Sequence, residues 1–170
     1  MKPLSVVGED VIADMLDLAA STPPGAFVEV GVYRGGTAWH LAQLAEQQKR
    51  TIFLYDTFTG IPYRTEGLDS HHVGDFGDTS YERVCADIPY ATVVKGVFPQ
   101  SARAMQYIAF VHLDVDQYQS YKDAIKHLRP LMAPGGVIWF DDVGCLPGAT
   151  QAVEEEFGTW LTDRKKRSEE

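Results

Sequence analysis

Carboxylates follow two predicted strands at the points where those strands end. Residues 111–116 read Val-His-Leu-Asp-Val-Asp, and residues 139–142 read Trp-Phe-Asp-Asp. If the two strands are parallel neighbours, the four acids surround one crevice, and their repulsion would raise some of their pKa values. A divalent cation removes this conflict, and an all-oxygen ligand set favours Mg²⁺ over Mn²⁺ or Ca²⁺. The alternative interpretation is that these acids cap the turns or helices that follow.

A glycine-rich turn after the first predicted strand is a second element that can bind a ligand. It reads Glu-Val-Gly-Val-Tyr-Arg-Gly-Gly-Thr over residues 29–37, and glycines between a strand and a helix let a ligand approach the backbone. The spacing differs from the dinucleotide pattern G-x-G-x-x-G. Glu29 favours a cationic or hydroxyl-bearing ligand over a pyrophosphate, for example an amino acid with a sulfonium. Asp56 ends the next strand, where an acid typically accepts hydrogen bonds from ribose hydroxyls. Either signal alone has a structural explanation, but together they predict a nucleoside ligand.

The elements that must position these residues alternate between strands and helices. Short apolar runs predict strands over residues 26–32, 51–57, 92–98, 109–114 and 137–143. Helices are predicted over 8–19, from Thr37, over 80–88, over 101–106, around 121–128, and from Thr150 onward, with Trp160 and Leu161 on the last apolar stripe. This alternation predicts a parallel sheet covered on both faces, with ligands at the carboxyl ends of its strands. Residues 58–78 show no periodicity, which is typical of a functional loop.

Length and composition describe a single globular domain. The chain has 170 residues, of which 45% are hydrophobic and 23% charged, so disordered, fibrous and disulfide-stapled classes are excluded. We expect one domain over residues 1–162 and a solvated charged tail over 163–170.

The net charge of −9 makes nucleic acid and membrane surfaces unfavourable partners. The two cysteines, the lack of a signal-peptide pattern at the start and the lack of a membrane-length apolar run predict a cytoplasmic location.

Four motifs in order resemble the macrocin O-methyltransferase (TylF-like) family, a branch of the class I methyltransferases dependent on S-adenosylmethionine (SAM). They are the glycine turn at 29–37, Tyr-Asp-Thr-Phe-Thr-Gly-Ile-Pro at 55–62, Leu-Asp-Val-Asp-Gln-Tyr at 113–118, and Pro-Gly-Gly at 134–136 leading to the Asp-Asp pair at 141–142. The resemblance implies a Rossmann-like three-layer αβα sandwich with a mainly parallel sheet. It also implies SAM-dependent, Mg²⁺-assisted methylation of a small-molecule hydroxyl, such as that of a sugar.

The resemblance also implies roles for single residues. Asp114, Asp141 and Asp142 match the metal ligands, Asp56 matches the ribose-binding acid, and Asp116 is the candidate general base. His71 or His72 in the loop is the alternative base. The expected cofactor-binding set is Glu29, Gly31, Tyr33, Gly35, Gly36, Thr37, Asp56, Thr57 and Asp114.

Two departures from the family pattern stand out. Gln119-Ser120-Tyr121 occupies the place of an acidic residue and a Ser-Thr pair, which puts the substrate's identity in doubt. We also expect about five strands in the order 3-2-1-4-5, without the last two strands usual in this class. The fifth strand would then be an edge, and an exposed edge invites pairing with another chain, so a homo-oligomer is expected.

Three functions remain open on the sequence alone. The first is a Mg²⁺-dependent O-methyltransferase acting on a small hydroxylated acceptor. The second keeps the nucleoside pocket but changes the reaction, to SAM cleavage by a lyase or hydrolase, or to a nucleotide-dependent oxidation. The third is a non-catalytic SAM-binding subunit.

Overall fold

The computed structural model describes residues 2–158, which form a three-layer α/β fold around one parallel sheet. The strands are β1 (Ala26–Val30), β2 (Ile52–Asp56), β3 (Thr92–Lys95), β4 (Ile108–Leu113) and β5 (Met132–Phe140). The helices are α1 (Glu9–Ala20), α2 (Gly36–Gln47), α3 (Tyr81–Asp87), α4 (Tyr118–Leu128) and α5 (Pro147–Phe157). The sheet order is β3-β2-β1-β4-β5, and every pair of neighbouring strands is parallel. The predicted fold class and strand order are confirmed.

The two central strands carry the core. All six residues of β4 have no exposed surface, as expected for a parallel strand covered by helices on both faces. One apolar cluster packs α1, α2 and α3 against one face of the sheet, and a second cluster packs α4 and α5 against the other. The strand ends that precede the predicted site are therefore fixed by packing on both sides.

The short helix predicted over residues 101–106 is wrong. The chain there makes a turn that ends at Ser101 and continues without helix or strand to β4. The turn is closed by Ser101 N–H, which donates to the Val97 carbonyl at 2.9 Å, after a cis peptide bond between Phe98 and Pro99. The third strand also ends earlier than predicted, at Lys95.

The fifth strand begins earlier than predicted and includes Pro134, Gly135 and Gly136. These residue types predict a turn, but β5 has a neighbour only on its β4 side within the described residues. A proline is tolerated on an edge strand, because its missing N–H faces away from the ladder. The register between β4 and β5 shifts between Ile108 and Phe110, which accommodates the extra residues.

The last described helix begins at Pro147 rather than at Thr150. Proline suits the first turn of a helix, since its missing N–H has no partner there. The Thr150 hydroxyl instead donates to the Leu146 carbonyl at 2.8 Å and accepts from Gly144 N–H at 2.8 Å. Trp160, Leu161 and the tail at 163–170 lie outside the described residues. None of the helices within residues 2–158 combines the length and the apolarity that a membrane crossing requires.

Candidate functional site

A cavity of about 460 Å³ opens at the carboxyl ends of the central strands. Of the residues predicted from the sequence, it is lined by Gly31, Tyr33, Asp56 and Thr57 from the β1 and β2 ends, and by Asp114, Asp116, Asp141 and Asp142 from the β4 and β5 ends. The cavity has the size of a small-ligand site.

Gly31 allows the first strand and the acidic fourth strand to meet. Its φ is +91°, and a Cβ at this position would overlap the carbonyl of Asp114. The Asp114 N–H donates to the Val30 carbonyl at 3.0 Å, so the two strand ends are joined directly by backbone. Only glycine satisfies both the conformation and the close approach.

Asp56 braces the glycine turn with its carboxylate. Its Oδ2 accepts from the N–H groups of Val32 and Tyr33, both at 2.8 Å, and its Oδ1 accepts from Phe58 N–H at 2.6 Å. Tyr33 and Phe58 have positive φ values of 50° and 52°, a conformation that bulky residues rarely adopt. The carboxylate therefore holds two strained turns in place beside the cavity.

Three carboxylates meet at the acidic side of the cavity, and we call them the acidic trio: Asp114, Asp116 and Asp142. One oxygen from each lies within 4.8 Å of the others. Asp116 has a φ of 59°, and its N–H donates to Asp142 Oδ2 at 3.0 Å. Asp141 is not part of this grouping; its Oδ1 lies 3.5 Å from Nε2 of His112.

The charge state of the acidic trio is strongly perturbed. Burial raises the pKa of Asp114 well above its usual range, and repulsion from neighbouring carboxylates adds to the effect. The same causes raise the pKa of Asp116 to about 7. Burial also raises the pKa of Asp142, although hydrogen bonds from Tyr121 and the Asp116 amide oppose it. A divalent cation fits these three carboxylates. All of their ligand atoms are oxygens, and without a cation their negative charges repel one another.

Behind the cavity, a buried histidine lies between two acids. His112 is completely buried on β4, and its Nδ1 lies 3.5 Å from Glu29 Oε1 on the paired strand β1. Neither ring nitrogen makes a hydrogen bond, so His112 is attracted to Glu29 and Asp141 through charge. Burial alone would lower the pKa of His112, but Asp141 and Glu29 raise it to about 10. Burial raises the pKa of Glu29.

Several predicted cofactor residues do not line the cavity. Glu29 faces His112, while Gly35, Gly36 and Thr37 form the start of α2. The Thr37 hydroxyl lies 3.1 Å from that of Ser5, because the chain before α1 crosses the start of α2.

The two loop histidines differ in their surroundings. His71 Nε2 lies 3.7 Å from Asp116 Oδ1, and the ring packs edge-on against Phe76 with centroids 5.1 Å apart. His72 is 69% exposed and lies against Asp75 at 3.9 Å. His71 is therefore the loop histidine that contacts the acidic side of the site.

Sequence reasoning missed the residues that anchor this loop. Asp69 is buried and accepts from Tyr118 N–H at 2.8 Å, at the start of α4. Asp78 accepts from the hydroxyl of Tyr33 at 2.8 Å and forms an ion pair with Arg34. An acid within an aperiodic segment carries no periodic signal, so only the folded contacts identify these two.

Two curated proteins are similar to this chain in sequence. The 8-demethyl-8-(2,3-dimethoxy-alpha-L-rhamnosyl)-tetracenomycin-C 4'-O-methyltransferase of Streptomyces olivaceus is 28% identical over 140 residues, covering 70% of this chain and 53% of that protein. The demethyldecarbamoylnovobiocin O-methyltransferase of Streptomyces niveus is 25% identical over 158 residues, covering 82% of this chain and 60% of that protein. The chain thus spans between half and two thirds of the length of these relatives.

Solved structures show the same fold. The O-methyltransferase NovP superposes with a TM-score of 0.78 at 23% identity, covering 89% of this chain and 72% of that one. The calicheamicin methyltransferase CalS11 gives a TM-score of 0.69 at 22% identity, covering 87% and 69% of the two chains. The fold of this chain, with its sheet order, is therefore a Rossmann-like methyltransferase fold.

The family model for macrocin-O-methyltransferase (TylF) matches residues 7–159, which include all five strands that the structure describes, the glycine turn, the loop and the acidic trio. The chain belongs to the macrocin O-methyltransferase (TylF) family.

Proposed function

We propose that the protein transfers a methyl group from SAM to a hydroxyl of a small molecule, with help from Mg²⁺. The observation that carries this proposal is the single cavity shared by a glycine turn and the acidic trio. The first can accept a nucleoside with a sulfonium, and the second can hold a divalent cation beside it. The family membership and the names of both relatives support the same reaction class.

The acceptor we propose is a sugar hydroxyl or a comparable hydroxyl of a small molecule. One relative is named for a rhamnosyl 4'-O-methyl transfer. The cavity wall also includes apolar side chains from the chain before α1 and from the loop, among them Val7, Ile61 and Phe76. Such a wall suits the less polar face of a glycoside, while the acidic trio takes its hydroxyls.

Asp114 and Asp142 would hold the Mg²⁺ ion, and Asp141 is proposed as a further ligand because of the family resemblance. When bound, the ion would lower the pKa of the coordinated acceptor hydroxyl and fix its orientation. Asp116 is the proposed general base, since it lines the cavity and its carboxylate stands within the trio. His71 is the alternative base, 3.7 Å from Asp116.

The remaining residues position the reacting groups. Asp56 and Gly31 fix the turn that faces the methyl donor, and the strand pairing fixes its distance from the trio. Holding a nucleophile in line with the methyl carbon supplies a large part of the rate acceleration in such a transfer.

The test is a methyl-transfer assay with labelled SAM and a panel of glycosides, with and without a chelator. The double variant Asp141→Asn with Asp142→Asn should abolish turnover while SAM binding measured by calorimetry persists. The matched control, Asp14→Asn with Asp17→Asn, changes two exposed acids on α1 and should behave as the wild type. If the Asp141→Asn, Asp142→Asn double variant turns over substrate at the wild-type rate in the presence of chelator, the metal proposal is wrong. Methylthioadenosine formed without any acceptor would favour SAM cleavage, and an absence of SAM binding would contradict the whole proposal.

We further propose that residues 1–162 act as one methyltransferase domain within a homo-oligomer. Within the described residues β5 is an edge of the sheet, and half-buried Val137 and Ile138 lie along it. A second copy that covers this edge would complete their burial. Light scattering at micromolar concentration should give a mass above the 18.9 kDa of one chain, and a monomeric mass would contradict the proposal.

A further inference from the structure

Tyr121 lies on α4 directly after Ser120, and its side chain is completely buried. The ring lies beneath the strand ends and packs against Phe140, with centroids 6.2 Å apart. It is not part of the cavity wall, whereas the neighbouring Ser120 is. Tyr121 therefore cannot touch a bound ligand directly, and any role in the site is exerted through another residue.

The hydroxyl of Tyr121 reaches the acidic trio from below. It lies 2.9 Å from Asp142 Oδ2 and 2.9 Å from the Leu113 carbonyl, and it accepts from Asp142 N–H at 3.3 Å. Its single proton is shared between two buried acceptors, and one of them belongs to the trio. The hydroxyl thus bonds both the backbone and the carboxylate of Asp142.

These contacts determine how the Asp142 carboxylate is turned. Oδ2 accepts from Tyr121 and from the Asp116 N–H at 3.0 Å, and neither bond uses Oδ1. With two donors on one oxygen, rotation of the carboxylate is restricted. Without the hydroxyl, the donor that remains to Asp142 Oδ2 is the backbone N–H of Asp116. Asp116 lies in the turn after β4 and has a positive φ of 59°.

We propose that Tyr121 is a positioning residue that orients Asp142 and thereby sets the affinity of the site formed by Asp114 and Asp142 for a divalent cation. The inference rests on the metal site put forward under Proposed function and extends it to a residue outside the cavity. Groups that orient metal ligands through hydrogen bonds commonly change metal affinity by about 10- to 100-fold when removed.

The variant Tyr121→Phe tests this proposal, because it removes the hydroxyl and keeps the ring. The matched control is Tyr90→Phe, which loses a surface hydroxyl that donates to the Arg50 carbonyl at 3.0 Å. Mn²⁺ binding to the free protein is followed by electron paramagnetic resonance, SAM binding by calorimetry, and folding by thermal melting. We expect the Kd for Mn²⁺ to rise about 10- to 100-fold in Tyr121→Phe, with SAM affinity unchanged and the control like the wild type.

A double-mutant cycle separates positioning from simple support of the fold. If Tyr121 acts through Asp142, adding Tyr121→Phe to Asp142→Asn should weaken Mn²⁺ binding no further, since coupled residues are not additive. Additive losses overturn the inference. So does a parallel loss of SAM binding and thermal stability in Tyr121→Phe, which would indicate a structural role.

Mn²⁺ binding of the wild type and of Tyr121→Phe, compared with each other, tests the role of Tyr121 separately from the metal site itself. A wild type and a Tyr121→Phe variant that bind Mn²⁺ equally well overturn the role of Tyr121 alone. A wild type that binds no Mn²⁺ contradicts the metal site itself and the role of Tyr121 with it.

Discussion

The Nε2 atom of His71 lies 3.7 Å from Oδ1 of Asp116, so the loop and the end of β4 bring two candidate bases together at one point. The loop is held there because the Gln117 side-chain amide donates to the His71 carbonyl at 3.3 Å. Asp116 lines the cavity and His71 does not, which favours the carboxylate over the histidine as the proposed general base.

Asp116→Asn should therefore lower kcat far more than His71→Gln. Loss of a general base costs about 10²- to 10⁴-fold, while loss of a neighbouring contact should cost much less. Single-turnover methyl transfer measures the step directly, and SAM binding should be unchanged in both variants. An equal or greater loss in His71→Gln would make the histidine the base.

Asp56→Asn should weaken SAM binding by disturbing the glycine turn. The asparagine keeps one acceptor oxygen, so at least one of the three N–H donors now held by Asp56 loses its partner. A buried donor left unpaired costs about 1–3 kcal/mol in the free energy of unfolding. Urea unfolding and SAM calorimetry measure the two effects, with the exposed Asp14→Asn as control. Unchanged values in both measurements would show that the turn does not depend on the carboxylate.

The metal-free protein should lose stability as the pH rises from about 4 to 7. Burial raises the pKa of Asp116 to about 7 in the folded state, well above the usual range of an aspartate, so in this window the folded state binds more protons than the unfolded state. Stability must then fall with rising pH, and each pKa unit is worth about 1.4 kcal/mol.

Urea unfolding in chelator across this range measures the slope. Mg²⁺ should flatten it, because a cation replaces the protons that relieve repulsion, and Asp116→Asn should flatten it without metal. A slope of the opposite sign, or one that Asp116→Asn leaves intact, would contradict the assignment.

His112→Leu should destabilise the protein by about 3–5 kcal/mol, the usual cost of leaving a buried charge without its partner. Glu29 has 1% of its surface exposed and lies beside the completely buried His112, so solvent cannot compensate for the loss. The double variant Glu29→Leu with His112→Leu should be more stable than His112→Leu alone in urea unfolding. If the double variant is the less stable of the two, Glu29 is not held by the histidine's charge.

The strand pattern of this fold is readable in the sequence because parallel strands buried on both faces are continuous apolar runs. The first, second and fourth strands match their predicted positions to within two residues at each end. Pro134, Gly135 and Gly136 were a misleading signal, since their tolerance in β5 depends on its being an edge. The helix predicted at 101–106 is absent. In that segment the Arg103 N–H donates to the Tyr55 hydroxyl at 3.3 Å, and that hydroxyl donates to Met105 Sδ at 3.3 Å, so contacts with a distant strand replace helical hydrogen bonds.

The site could be predicted only in part. Acids at the ends of adjacent parallel strands must converge, so the crevice itself was predictable from residues 111–116 and 139–142. The sequence did not predict which of these carboxylates lie together. Asp141 lies beside His112 instead of joining the acidic trio, and His112 occupies a strand position that looks like that of any core residue. The position of the loop at His71 likewise depends on a long-range contact, the hydrogen bond from the Gln117 side chain, which no local pattern encodes.

The backbone bond between Asp114 and Val30, made possible by Gly31, has an evolutionary consequence. It sets the spacing between the glycine turn and the acidic trio by main-chain geometry, which side-chain substitutions leave unchanged. Under the proposed function, the loop at 58–78 can then vary without altering the distance between the glycine turn and the acidic trio. Libraries aimed at new acceptors should therefore be confined to that loop.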